Sequence, residues 1–272
     1  MTRAIWALAL GATVAACTPG TGDDPADPSP TATPPPTPTA SATATSASNG
    51  ARSVAEETDD FLFEYSYPAE AGRIVELASL LDVDLAERRE DLAAESGSAR
   101  REARQEGFPY NKYSYTAEWK VVADLPGWLS LSADVATYTG GAHGNYTVRS
   151  LVWDKENERS VDAVALFESP AALEKALGDR FCEGLDRERA ERRGTPVAEE
   201  SDEMFDQCPE IGELEVLVGS SNRRAFNRLT LYAGPYVAGP YSEGAYEVNL
   251  PVDAAVLAAV RPEYREAFAA RN

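Results

Sequence analysis

The chain is poor in the residues that build metal centres: it has one histidine and three cysteines in 272 residues. A structural or catalytic zinc site needs three or four protein ligands from such residues, so no metal and no cofactor is expected here. Basic residues are scarce too. Lys and Arg number 25 against 45 Asp and Glu, a formal net charge of −20. Phosphate binding requires the opposite sign, which excludes nucleic acid as an expected partner. No uninterrupted apolar run approaches the roughly 20 residues that cross a hydrocarbon core. From Thr18 to Gly50 there is no aromatic residue and no Leu, Ile or Val. Such a stretch buries too little surface to offset the entropy of ordering.

What is present begins with a leader. Arg3 precedes an apolar segment, Ala4 to Ala12, and Val14-Ala15-Ala16-Cys17 places small residues before a thiol. This pattern is that of a bacterial lipoprotein signal, which predicts removal of residues 1–16 and acylation of Cys17. Residues 17–58 are then expected to be a disordered, lipid-anchored linker rich in Thr, Ser, Ala and Pro. It would hold the folded part roughly 30 Å from the bilayer as a coil, or up to about 100 Å as polyproline II. Thr18, not Asp, follows the anchor, an arrangement that suits the periplasmic side of the outer membrane. The expected address is the bacterial cell envelope, with the membrane reached through the lipid.

With Cys17 used by the lipid, Cys182 and Cys208 remain as an even pair in a compartment that permits disulfides. A bridge is expected rather than two separately buried thiols, and would contribute about 3 kcal/mol on the chain-entropy model. The acidic balance would steer a basic protein partner toward the chain, although acids also simply keep a surface soluble.

The folded part predicts an α+β fold, with antiparallel sheets and helices packed on one face. Phe61, Phe63, Tyr65 and Tyr67 alternate with Leu62, Glu64 and Ser66, as in a strand with one aromatic face. Ile74, Leu77, Leu81, Leu85 and Leu92 recur at helical steps between Ala69 and Glu106. Three neighbouring antiparallel strands are predicted between Tyr113 and Trp153, with a Pro126-Gly127 turn and the connector Thr139–Asn145. Pro170 is placed to open a helix whose apolar stripe is Leu173, Leu177, Phe181 and Leu185. Strands are expected near 214–218, 226–232 and 246–250, and helix from Val256 to Phe268. The domain reading is 59–160 for one subdomain and 161–272 for a second.

Tyr138-Thr139-Gly140-Gly141-Ala142-His143-Gly144, followed by a strand, Asp154 and Leu166-Phe167, resembles the ectodomain shared by RsiV-type anti-sigma factors and PdaC-type peptidoglycan deacetylases. Leu231–Pro240, then Val248-Asn249-Leu250-Pro251, is similar to the end of the RsiV-type domain. The resemblance spans about Phe61 to Leu257. The chain departs from both families: a lipoprotein leader stands where the first has a cytosolic sigma-binding segment and membrane helix, and a single His is too few for the metal-dependent catalytic domain of the second, so the extracellular recognition part alone is expected. The resemblance further implies binding of lysozyme, a small basic enzyme, or of peptidoglycan.

His143 in its Gly-rich loop has the chemistry of a general base, yet the neighbouring residues offer Thr139 and Thr147 and no orienting carboxylate close on the N-terminal side. No catalytic residue is therefore assigned, and the chain is expected not to be an enzyme. Gly234-Pro235-Tyr236 and Gly239-Pro240-Tyr241 bring two tight turns and two aromatics together, suited to a protein or sugar surface or to capping the domain's own sheet. His143, Tyr236 and Tyr241 form the candidate binding surface. The alternatives are a cell-wall-modifying hydrolase or deacetylase accessory protein, with His143 as the residue on which turnover would depend, and a structural envelope lipoprotein.

Overall fold

The computed structural model describes residues 42–197 and 203–271. The leader, Cys17 and the first part of the expected linker lie outside these residues. All of the described chain belongs to one compact unit, Ala40–Asn272.

Strands β1 (Ala42–Ser48), β2 (Ala51–Glu57) and β3 (Phe61–Tyr67) open a seven-stranded sheet. This corrects the expectation of linker through residue 58, because 42–48 and 51–57 pair as an antiparallel hairpin and β2 continues onto β3. The physical reason lies in two side chains. Val54 is buried in the core, and buried Glu56 pairs with Arg89. A composition count over the whole Ala/Ser/Thr stretch averages those anchors away.

Helices α1 (Ala69–Gly72) and α2 (Val75–Glu106) then cross over the sheet, so that β4 (Tyr113–Asp124) lies parallel to β3. This parallel pair stands in an otherwise antiparallel sheet completed by β5 (Trp128–Tyr138), β6 (Asn145–Asp154) and β7 (Arg159–Val161). The α2 stripe of Leu77, Leu81, Leu85 and Leu92 packs with Phe63, Tyr65, Trp119, Leu131 and Trp153 in one hydrophobic cluster. The aromatic alternation seen in the sequence is therefore the helix-facing side of β3.

A β-bulge between Val121 and Ala123 shifts the pairing of β4 against β5. One extra residue exchanges the faces of a strand. Ala117 and Trp119 accordingly belong to the cluster under α2, while Ala123 belongs to a second cluster on the opposite side. That second core holds α3 (Pro170–Leu177), α4 (Arg180–Arg193), α5 (Ala254–Ala259) and the antiparallel sheet β8 (Glu215–Gly219), β9 (Arg228–Ala233), β10 (Tyr246–Pro251). Ser169 caps α3 by accepting from the Ala172 N–H, and Pro170 takes the first helical position. The expected helix over 256–268 divides into α5 and a 3-10 turn, Pro262–Ala267. Pro262 has no N–H to continue an α-helical ladder.

Candidate functional site

The seven-stranded sheet has a second face, and β8 covers one end of it by contacting β4, β5 and β6. The other end stays open. Strand alternation sets Glu64, Thr116, Glu118 and Asp134 on that open floor, and Tyr232 and Glu247 form a wall from β9 and β10. The resulting groove has a volume of about 800 Å³. Lys120 reaches Asp134 at 2.6 Å and Glu118 at 2.9 Å, leaving Glu64 and Glu247 without an ion pair among the described residues. Burial pushes the Tyr232 phenol up to about 12, and Tyr146, Glu247 and Asp134 add to the rise. It remains a neutral hydrogen-bonding group across the physiological range.

Tyr146, exposed at the start of β6, lines this groove and also touches a cluster of aromatic rings beside it. The connector from β5 to β6 carries His143, and the segment after β9 carries Tyr236 and Tyr241. His143 and Tyr241 stack with centroids 3.9 Å apart, Tyr236 lies 5.7 Å from Tyr241, and Tyr146 meets Tyr241 edge-on at 6.0 Å. The structure thus brings together all three candidate surface residues of the sequence analysis.

Local chemistry explains the arrangement. Gly144 is required because a Cβ there would sit 2.6 Å from the Thr137 carbonyl, where the ends of β5 and β6 close on each other. His143 Nδ1 lies 2.8 Å from the Gly144 carbonyl oxygen. A neutral ring donating there has Nε2 as its acceptor, and the Tyr236 hydroxyl stands 3.5 Å from it. Val237 N–H donates to the Gly234 carbonyl, closing a turn with Pro235 and Tyr236 at its centre. Tyr236 has φ 69°, the conformation that a type II turn reserves for glycine or asparagine at this position. The residue is 52% exposed. A bulky residue held in that conformation and turned toward water is a strained, outward-facing element of the surface.

Beneath the same sheet lies a polar network. Trp119 Nε1 donates to the Tyr65 hydroxyl, which donates to Asp84; Arg149 binds Asp84 through both terminal nitrogens and lies over the Trp119 ring. Burial raises the Asp84 carboxyl, but the hydrogen bonds and charge of Arg149, with Tyr65 and Arg88, outweigh it and hold the group below its usual range. Burial, reinforced by Asp84, drives the Tyr65 phenol far above its ordinary value. This network fixes β6 against α2 and so fixes the strand that bears Tyr146.

Cys182 and Cys208 form a disulfide. Among the described residues no group of three or more His, Cys, Asp or Glu is gathered as a metal would require. Tyr146, Tyr232 and the groove carboxylates were not anticipated as site residues. Period-two alternation places Glu64, Thr116, Glu118 and Asp134 on one face, but which end of that face stays uncovered depends on where β8 docks.

Residues 54–146 match the family model described as "Deacetylase PdaC". The matched stretch runs from the buried Val54 through the Gly-rich connector to Tyr146, and contains Tyr138–Gly144, the first part of the motif on which the resemblance rests. No curated protein matches the chain. Among solved structures, a DUF3298 family protein from Pseudomonas aeruginosa is similar at 16% identity over 81% of this chain and 97% of that one, with a TM-score of 0.48. A DUF3298 family member from Bacteroides fragilis is similar at 13% identity over 78% and 88%, with a TM-score of 0.42.

Proposed function

We propose that this chain is a lipid-anchored cell-envelope protein, acylated at Cys17, whose folded part binds a basic protein partner and catalyses no reaction. The observation that carries the reading is the position of Tyr146, which lines the acidic groove and also meets the ring of Tyr241, beside which His143 and Tyr236 lie exposed. Carboxylates without counter-ions attract a cationic surface and speed its encounter, while exposed tyrosines supply contact area at low entropic cost. The lipoprotein leader and the Pro/Thr-rich segment behind it support the address, the periplasmic side of the outer membrane. The likeness to PdaC-type domains supports a setting at the cell wall.

The test is calorimetric titration of the chain with lysozyme at low and at physiological salt. Saturable binding that weakens as salt rises is the expected result. Saturable binding of peptidoglycan fragments with none of lysozyme would overturn the choice of partner, and release of acetate from an N-acetylated glycan would overturn the non-catalytic reading. Incorporation of labelled palmitate, lost in Cys17→Ser, tests the anchor separately.

A further inference from the structure

Three arginines in the last turns of α4 hold two segments that are remote in sequence. The Arg189 side chain is 0% exposed. Its Nε donates to the Ala238 carbonyl at 3.0 Å, its Nη1 to Asp186 and to the Asp206 carbonyl, and its Nη2 to the Gln207 carbonyl at 2.9 Å. Arg193 bridges the Asp206 and Glu243 carboxylates. Arg192 donates to the Glu243 and Ala245 carbonyls and lies over the Tyr246 ring at 3.9 Å. The segment just before Cys208 and the segment that follows Tyr236 therefore share the same guanidinium groups. Cys208 is tied to Cys182, on the helix that carries those arginines.

We propose that the Cys182–Cys208 bridge, acting through Arg189 and Arg193, sets the order of the Tyr236–Tyr241 segment, so that reduction of the bridge loosens the aromatic surface. The guanidinium keeps its charge at any working pH. If the backbone at Asp206 and Gln207 leaves, Arg189 is buried with two of its acceptors gone, which is a strongly unfavourable state. Relief comes from moving the side chain toward water, and its bond to Ala238 goes with it. Arg193 loses Asp206 in the same event, which slackens its hold on Glu243. The coupling rests on these contacts alone; its consequence for a ligand rests on the binding role proposed above.

Cys208 is an exposed residue and Cys182 a partly buried one, so Cys208 is the half of the bridge that faces an incoming thiolate. The thiolate of a dithiol reductant attacks Cys208, the Sγ–Sγ bond breaks, and Cys182 departs as a thiolate that takes up a proton. The reductant's second thiol then displaces Cys208 and closes as a cyclic disulfide, having passed two electrons to the protein.

Hydrogen exchange on the full chain, oxidised and after dithiothreitol, is the experiment. The reporters are the hydrogen-bonded amides of Tyr236, Val237, Glu243 and Gly244, with those of β9 and α2 as controls. Exchange at the reporters is expected to rise tenfold or more while the controls hold, and Cys182→Ser with Cys208→Ser reproduces it. Reporters as protected after reduction as before would overturn the coupling. Should reduction unfold the chain, Arg193→Gln, which keeps the bridge, decides: faster exchange confined to the reporters supports the proposal, and unchanged protection sinks it. Failure of lysozyme to bind the oxidised chain would count against the proposed binding role and leave the exchange result to judge the coupling.

Discussion

The imidazole of His143 lies against the ring of Tyr241, with the two planes 23° from parallel. His143 sits between β5 and β6 of the large sheet, and Tyr241 sits between β9 and β10 of the small one. The stack therefore joins the two sheets at the rim of the groove. It leaves Tyr236 tilted beside it and Tyr146 at its edge, so the surface of the cluster is made by residues whose backbones come from different parts of the fold.

Tyr241→Ala removes the ring on which the other three converge. Tyr241 occupies a short 3-10 turn and is partly exposed, so unfolding stability is expected to fall by no more than about 1 kcal/mol. Lysozyme binding is expected to weaken at least about tenfold, as for truncation of a central aromatic anchor. Thermal melting and calorimetry on the same preparation separate the two effects.

Tyr236→Gly opposes stability and binding. Glycine adopts φ 69° freely, so the variant loses turn strain of about 1 kcal/mol, partly offset by the greater entropy of its unfolded chain. The melting temperature is expected to hold or rise while binding weakens. Tyr236→Phe keeps the ring and removes the hydroxyl that faces His143, which tells apolar contact from hydrogen bonding. A drop in melting temperature for the glycine variant would show that the ring supports the fold.

The strands and helices were legible where apolar residues keep a strict period. Phe61 to Tyr67 and the leucines of α2 each declare a face, and Pro170 announces the start of α3. The hairpin of β1 and β2 was not, because Ala, Ser and Thr pair by backbone and leave little apolar signal around Val54. The bulge after Val121 was equally hidden, since its effect is to exchange the inside and outside of β4. For the site, Gly-rich and Gly-Pro-Tyr motifs drew attention to His143, Tyr236 and Tyr241, whose rings the fold sets side by side, whereas Tyr146 and the groove carboxylates depend on how two sheets meet. Arg189 belongs to the same class: a helical arginine in a charged run reads as solvated until the carbonyls that surround it are known.

Asp84→Asn breaks the network that ties β6 to α2. Arg149 would keep its charge without the carboxylate that is hydrogen-bonded to it, a loss of about 2 kcal/mol, below that for a fully buried pair because the Arg149 side chain is 35% exposed. The sign of the pH dependence follows from the depressed carboxyl. Its stabilising contribution is present above the unfolded value of about 3.9 and is lost as pH falls through the lower folded value. Denaturant unfolding at neutral pH should separate parent and variant, and the difference should close at acid pH. A difference that persists unchanged below pH 3 would place the stabilisation in packing and not in charge.

Glu215→Gln tests the opposite case. Burial raises the Glu215 carboxyl, with Asp162 adding to the rise, while the Ser150 backbone N–H and Arg149 pull it down without cancelling the shift. The folded chain therefore binds a proton here to higher pH than the unfolded chain does. Between the ordinary glutamate value and the raised folded one, stability falls as pH rises, and above that window the full cost of an ionised, half-buried carboxylate remains. Glutamine cannot ionise and still accepts from Ser150. Subtracting the variant's unfolding free energy from the parent's at each pH from 4 to 8 isolates this single group. The parent is expected to lose ground to the variant through that window and to stay below it at pH 7. A difference that is flat across the whole range would mean that Glu215 is solvated in the folded chain, and that the site between β6 and β8 is wetter than its burial indicates.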